Sequence, residues 1–203
     1  AAGPLLYAWG NNAGGQIGDN TSGNNRSSPV QIGAVSWLSV SGGGTGFTVA
    51  ITSNNLLYAW GNNALGQLGD GTTVGKSSPV QIGTSSWTAV SSGGTHSVAL
   101  KSDNSLWSWG NNFSGQVGDG TTINRSSPVS VIGGFTDWCQ VSTGGSHSVA
   151  VRTNGTAWAW GYNSIGRLGD GTVTNRSSPV SVVGGFTNWC QIAAGGYHSM
   201  ALR

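Results

Sequence analysis

Three histidines recur at a fixed interval and are the first residues whose chemistry has to be weighed. His96, His147 and His198 follow one another at intervals of 51 residues, and three imidazoles are a ligand set that zinc accepts. The alternative is structural, because equivalent residues of separate repeats should point in equivalent directions rather than converge on one ion. Phe47 stands at the corresponding place in the first copy. We therefore predict a hydrogen bond from each imidazole to a neighbouring loop, with no metal and no cofactor.

Four aspartates recur in the same way, each before a glycine or an asparagine: Asp19, Asp70, Asp119 and Asp170. Carboxylates that act in pairs do acid–base chemistry, and clustered carboxylates bind calcium. Here each copy supplies one carboxylate without a second beside it, and an Asp before Gly is typical of a turn in which the side chain bonds to the backbone. The sequence also lacks a Gly-x-Ser-x-Gly elbow with a paired His and a complete P-loop. We predict turn residues and a protein that is not an enzyme.

The elements that must position these residues form one pattern, repeated four times. The copies read YAWGNNAGGQIGDN, YAWGNNALGQLGDG, WSWGNNFSGQVGDG and WAWGYNSIGRLGDG. The tryptophans that directly precede the first glycine of each copy are spaced by 51, 49 and 51 residues and are Trp9, Trp60, Trp109 and Trp160. A fixed period of this size indicates modules of one supersecondary unit each. We predict a single array over residues 1–203, with repeats at 1–51, 52–100, 101–151 and 152–203, and structural roles for these tryptophans, histidines and aspartates.

Each repeat contains four segments with the features of short strands. In the third copy they are 105–110, 127–133, 135–145 and 147–155, separated by Gly-Asp-Gly and Thr-Asn-Gly turn signals. Glycine and β-branched residues dominate and no 3.6-residue period appears, so long helices are not expected. Four-stranded antiparallel units repeated around an axis define a β-propeller. The predicted fold class is therefore all-β, with one propeller blade for each repeat.

The repeat resembles that of the regulator-of-chromosome-condensation family. The shared residues are WGNNxxGQLGDGTxxxRSSPVxI followed by WxxVxxGGxHSVAL, and they cover nearly the whole chain. The resemblance implies a propeller whose usual ring has about seven blades. It also implies two kinds of function: the founding members exchange guanine nucleotides and bind chromatin, whereas many other members are extracellular or bacterial binding modules, some of which inhibit secreted enzymes.

The chain is predicted to start in the middle of a blade. Segments of small residues should lie innermost, because blades crowd together near the axis. Residues 5–32 then supply two outer strands, residues 189–202 supply two inner strands, and three blades between them are complete. The complementary halves have three possible partners: each other in a four-bladed ring, a second chain in an eight-bladed ring, or further repeats of a longer polypeptide.

Composition excludes several classes of partner. Charged residues make up 7% of the chain and the net charge is +2, without the basic patch that nucleic acid requires. No apolar run approaches the roughly 20 residues of a membrane span. Cys139 and Cys190 occupy equivalent places in successive repeats, so we expect two buried thiols rather than a disulfide.

Function is expected at positions where the copies differ. Leu65, Phe113 and Ile165 are apolar residues within the same pair of variable places in the long loops (Ala64-Leu65, Phe113-Ser114 and Ser164-Ile165), and Tyr162 and Arg167 are unique to the last copy. The three apolar residues either form an arc of contacts on one rim or pack between blades. We predict a binding or structural module, displayed outside the cell or on a virion, that contacts another protein or further copies of itself. The alternatives are a cytoplasmic exchange factor for a small GTPase and a secreted enzyme inhibitor.

Overall fold

The computed structural model describes residues 3–203, and this part of the chain consists of sixteen β-strands joined by turns and loops, without a helix. No segment of it is therefore a helix that could cross a membrane. The strands are β1 Leu6–Gly10, β2 Arg26–Ile32, β3 Trp37–Gly43, β4 Phe47–Thr52, β5 Leu57–Gly61, β6 Lys76–Gln81, β7 Trp87–Ser92, β8 His96–Lys101, β9 Leu106–Gly110, β10 Arg125–Ser130, β11 Trp138–Thr143, β12 His147–Arg152, β13 Ala157–Gly161, β14 Arg176–Ser181, β15 Gln191–Ala194 and β16 Ser199–Leu202.

These strands form three complete blades and two half-blades, as predicted. The complete blades have the orders β3-β4-β5-β6, β7-β8-β9-β10 and β11-β12-β13-β14, with antiparallel neighbours throughout. The half-blades are the separate two-stranded sheets β1-β2 and β15-β16. Because β1 and β16 do not pair with each other, the chain is an open arc rather than a self-closed ring.

The small-residue strands β3, β7, β11 and β15 lie innermost, where successive blades touch. Hydroxyl groups bridge them: the Ser92 amide donates to Ser41 Oγ at 2.9 Å, and the Ala194 amide donates to Ser142 Oγ at 2.9 Å. A Cβ on Gly93 would lie 2.6 Å from the Gly144 carbonyl oxygen of the next blade. Side chains at this place would force the blades apart, which explains the run of Gly, Ser and Ala.

A tryptophan on the third strand of each complete blade anchors it to the preceding loop. Trp60, Trp109 and Trp160 are fully buried. The Trp109 indole N–H donates to the Gln67 carbonyl at 2.9 Å, and its ring covers Gly69, where a Cβ would lie 2.8 Å from Nε1. Trp9 occupies the same place in the half-blade β1-β2, but 63% of it is exposed, because residues 3–203 place no loop of a preceding blade against it.

The prediction of buried cysteines was wrong. Cys139 and Cys190 are free thiols and both are exposed. Each directly follows a tryptophan, and Trp138 is buried at the start of β11. Because successive side chains of a strand point to opposite faces, the residue after that buried tryptophan faces solvent.

Candidate functional site

The long loop between the third and fourth strands of each blade carries the variable residues, and a buried asparagine fixes its path. In the third copy, Asn112 Nδ2 donates to the carbonyls of Thr121 and Ile123 at 3.0 and 3.1 Å. Its Oδ1 accepts the Val117 amide at 2.9 Å. Asn12, Asn63 and Asn163 bond to the equivalent loop residues in their own copies. All four loops therefore emerge on one rim of the arc with the same backbone.

The repeated aspartate is the second fixed point of each loop. Asp119 accepts hydrogen bonds from the Thr121 amide at 3.0 Å and hydroxyl at 2.7 Å, and it pairs with Arg125 at 2.6 Å. In the last copy, burial alone would raise the pKa of the Asp170 carboxyl, but hydrogen bonds from Thr172 and Arg176 outweigh burial and lower the pKa to about 2. Asp19 pairs with Arg26 and Asp70 pairs with Lys76 in the same way. These carboxylates are held by the loop itself and are not aimed at an open site.

Replacing Asp119 with asparagine should destabilise the protein by about 1–3 kcal/mol, because the change removes the charge that faces Arg125 in a largely buried site. Urea unfolding followed by tryptophan fluorescence measures the effect. Asp103→Asn is the matched control, since Asp103 lies in an exposed turn and bonds only to Ser105 within its hairpin; its effect should stay within about 0.5 kcal/mol. Equal effects of the two changes would contradict the structural role of Asp119.

The histidines link neighbouring blades. His96 Nε2 is hydrogen-bonded to Ser148 Oγ at 2.9 Å, and His147 Nε2 to Ser199 Oγ at 3.0 Å. His198, on the last half-blade, is exposed. Residues 3–203 contain no group of three or more His, Cys, Asp or Glu side chains that could hold a metal ion. Burial, and then the neighbouring His147, lowers the pKa of His96 to about 3; burial, and then Arg167, lowers that of His147 to about 4.

The last repeat departs from the pattern at three places that meet in space. Arg167 replaces the glutamine of the other copies, Tyr162 replaces an asparagine, and Tyr197 stands where the others have Gly46, Thr95 and Ser146. The Arg167 guanidinium lies 4.6 Å from the centre of the Tyr162 ring and 5.4 Å from that of Tyr197. Cation–π attraction therefore holds these three side chains in one cluster, which we call the Tyr–Arg–Tyr cluster.

Arg167 is an unusual residue for its position. Only 6% of it is exposed, its Nε has no hydrogen-bond partner within residues 3–203, and its Nη1 reaches the Gly196 carbonyl at 3.5 Å. In the other copies the glutamine side chain accepts a loop amide, as Gln67 accepts that of Leu65 at 2.9 Å. Arginine cannot accept a hydrogen bond, so the last loop gives up this internal contact and presents a cation between two aromatic rings.

The three apolar residues predicted from the sequence to be binding positions differ in how far they are exposed. Phe113 and Ile165 lie on the loop-bearing rim and are 69% and 62% exposed, so neither is packed between blades of the described chain. Leu65 is half-buried. Tyr162, also half-buried, and Arg167 belong to the Tyr–Arg–Tyr cluster. Tyr197 was missed, although aligning the residues before the histidines would have shown an aromatic side chain, 73% exposed, where the other copies have small residues.

Comparisons with known proteins agree with this architecture. A family model described as the regulator of chromosome condensation (RCC1) repeat matches residues 5–51, 54–100, 103–151 and 154–202, and a second model of the same description matches 37–67, 87–116 and 138–167. The E3 ubiquitin-protein ligase MYCBP2 of Danio rerio is 40% identical over 63 residues, which are 31% of this chain and 1% of that protein.

Two solved structures resemble the arc closely in backbone. Human WBSCR16 superposes with a TM-score of 0.86 at 24% identity, over 97% of this chain and 52% of that one. Prp20p of Saccharomyces cerevisiae, which is described with its binding to Gsp1p and histones, gives 0.82 at 24% identity, over 97% and 51%. The likeness shows the fold, and this chain spans about half the length of both structures.

Proposed function

Because the chain belongs to the regulator of chromosome condensation (RCC1) repeat family, we propose that it is a non-enzymatic propeller arc whose loop-bearing rim binds a protein. The observation that carries this proposal is the Tyr–Arg–Tyr cluster. Three independent departures from the repeat come together around one buried guanidinium. Departures that served only the framework would have no reason to collect at one place on the rim.

The chemistry of the rim suits a protein partner. Tyrosine and arginine are among the residue types that most often dominate binding energy at protein interfaces, and Tyr197, which is 73% exposed, carries a hydroxyl that can donate or accept a hydrogen bond. Phe113 and Ile165 extend the exposed surface with apolar side chains. A partner that covers this rim would bury the exposed Tyr197 ring together with the apolar side chains of Phe113 and Ile165.

The test is capture by a rim variant that restores the common repeat. The triple change Tyr162→Asn, Arg167→Gln and Tyr197→Ser installs side chains that other copies carry at these places, so the fold should be retained. We expect the unchanged chain to enrich a partner protein, and we expect the triple variant to capture at least tenfold less of that partner, as measured by quantitative mass spectrometry. Lys101→Ser, a change away from the rim loops, is the control and should keep the captured protein. Equal capture by all three forms would contradict a role for the cluster.

We also propose that the chain has no catalytic activity, since its repeated carboxylates and two of its imidazoles are bound to framework groups. Family membership raises one specific alternative, nucleotide exchange on a small GTPase. Release of a fluorescent guanine nucleotide from purified small GTPases measures it. The proposal expects release at the spontaneous rate, and a tenfold acceleration would contradict it.

Display outside the cell or on a virion remains a proposal supported by composition. The loops are rich in Asn, Ser, Thr and Gly, and charged residues make up 7% of the chain. Protease treatment of intact cells or particles tests the location: the chain should be degraded without lysis, and protection until lysis would favour the cytoplasm. Partners of two kinds fit the molecule, a different protein at the rim and further copies of the chain at its open edges.

A further inference from the structure

We propose that a second copy of this chain completes each half-blade, so that β1 of one chain pairs with β16 of the other and two chains close into an eight-bladed ring. The proposed junction lies at the two edges of the arc, and on one edge it includes the Arg167 backbone beside the Tyr–Arg–Tyr cluster. Every complete blade makes a set of contacts between its inner and outer strands. Each half-blade lacks these contacts on the side where the other half-blade would fit.

The exposed apolar residues at the two edges are the first of these observations. Met200 and Leu202 on β16 are 58% and 61% exposed, whereas the equivalent Val98 and Leu100 of a complete blade are buried. On the other half-blade, Trp9 is exposed although Trp109 is buried. These side chains have the residue types of the blade core and lack only the facing strands that would cover them.

The register of the missing pairing is fixed by the complete blades. In all three, the second and third strands pair identically, with Ser97 facing Trp109 and Val98 facing Ser108 in the middle blade. The same register sets Ser199 of one chain against Trp9 of the other, with the further pairs His198–Gly10, Met200–Ala8, Ala201–Tyr7 and Leu202–Leu6. Gly10 has the same positive φ, 105°, as its counterparts, but a Cβ there would meet nothing, whereas at Gly110 it would lie 2.6 Å from the Thr95 carbonyl oxygen.

A half-filled acceptor marks the place of Trp9. In each complete blade, one loop carbonyl accepts both a hydroxyl and an indole: the Gln116 oxygen accepts Ser148 Oγ at 2.9 Å and Trp160 Nε1 at 3.0 Å. At the open edge, the Arg167 oxygen accepts Ser199 Oγ at 2.8 Å, and no indole reaches it within residues 3–203. A cavity of about 340 Å³ lies there, lined by Arg167, Gly169 and Ser199. Trp9 of a second copy carries the missing N–H and fits against Gly169.

Two further hydrogen bonds that join complete blades have their donor on one edge of the arc and their acceptor on the other. His96 and His147 each bond to a hydroxyl on the next blade, and for His198 the equivalent hydroxyl is that of Thr48, which lies beyond the junction. Thr48 Oγ1 donates to the Gln16 carbonyl at 3.0 Å and keeps its acceptor sites for an imidazole N–H. The Gly120 amide donates to the Ser177 carbonyl of the next blade at 2.8 Å, and the corresponding pair across the junction is Gly171 with Ser27.

A second copy supplies the missing strands in the right number. One chain carries three blades and two halves, which is half of an eight-bladed ring, and propellers have 4–8 blades. Two copies related by a twofold axis therefore make two identical junctions and leave no edge.

Sedimentation under reducing conditions gives the first test. The full chain, whose mass is 20.5 kDa, is expected to sediment at twice that mass, and Trp9→Ala should weaken the dimer at least tenfold. Because Trp9 is exposed in the single chain, this variant keeps the circular dichroism of the blades. Phe113→Ala, which removes an equally exposed ring away from both edges, is the control and should leave the dimer intact. A monomer at all concentrations, or an open-ended polymer, would overturn the proposal.

A cross-strand disulfide tests the register. In a background with Cys139 and Cys190 changed to serine, the pair Ala8→Cys and Met200→Cys should oxidise to a covalent dimer, because facing residues of antiparallel strands have Cβ atoms about 4.5–5.5 Å apart. The shifted pair Ala8→Cys and Ala201→Cys points to opposite faces and should stay reduced. A disulfide within a single chain, or no disulfide with either pair, would overturn the proposed junction.

Discussion

Replacing Trp109 with alanine is expected to lower the free energy of unfolding by about 3–5 kcal/mol, the largest effect of any single change we foresee. The ring is fully buried between two blades and its N–H donates to the Gln67 carbonyl. Alanine leaves a cavity at the contact that joins one blade to the loop of the preceding one, and it leaves one of the donors to that carbonyl missing. Urea unfolding followed by circular dichroism measures the change.

The same contact can be disturbed from the opposite side. Gly69→Ala places a Cβ 2.8 Å from Trp109 Nε1, at a backbone φ of +78°. Gly83→Ala is the matched control, because Gly83 also has a positive φ, +60°, but nothing lies within 4 Å of the added Cβ. The control should show only the backbone cost of about 1 kcal/mol, and Gly69→Ala should cost clearly more. Equal losses, or a Trp109→Ala loss below about 1 kcal/mol, would contradict the anchoring role of the tryptophan.

Acid is expected to destabilise the protein in a pH range set by its buried histidines. Burial holds the pKa of His96 at about 3 and that of His147 at about 4, whereas an unfolded histidine titrates near 6.5. Between these values the unfolded chain binds protons that the folded chain does not bind, so stability falls as pH falls. Each histidine contributes a slope of up to about 1.4 kcal/mol per pH unit from pH 6.5 downward, and neither contributes above that range.

Two variants separate this effect from other acid-sensitive groups. His96→Phe copies the first repeat, where Phe47 is buried at the equivalent place, and should remove about half of the slope between pH 6.5 and 4. Phe47→His adds a third buried imidazole and should make the slope steeper. Urea unfolding at half-unit intervals of pH measures both. An unchanged slope in both variants would contradict the account. The stabilisation that the repeated aspartates provide is lost at lower pH than that of the histidines, since hydrogen bonds and ion pairs hold the pKa of Asp170 near 2.

The blades and their phase could be predicted from the sequence because they depend on local and periodic information. Alternation along SLWSWG, turn signals and the small residues of the innermost strand specify each blade and its direction. The resemblance to a known repeat added the expected ring. The half-blades at both ends could be predicted from where the inner and outer strands fall within each repeat, without knowledge of any contact between residues.

The remaining features depend on contacts between repeats, which a single period does not encode. Cys139 is an exception, because its equivalence to Cys190 suggested two buried thiols, whereas strand alternation next to the buried Trp138, which is local information, turns it to solvent. Tyr162 and Arg167 could be singled out as departures from the pattern. Tyr197 lies about thirty residues further along and meets them only because the next inner turn packs over the loop.

The central claim is that each blade is built across a repeat boundary, from the inner strands of one family repeat and the outer strands of the next. Nuclear magnetic resonance of the labelled chain tests it most directly, through contacts between backbone protons of facing strands. We predict that Trp109, in the repeat at 103–151, contacts Ser97, in the repeat at 54–100, and that Trp107 contacts Ala99. Contacts that join the Trp109 backbone only to strands of its own repeat would contradict the account.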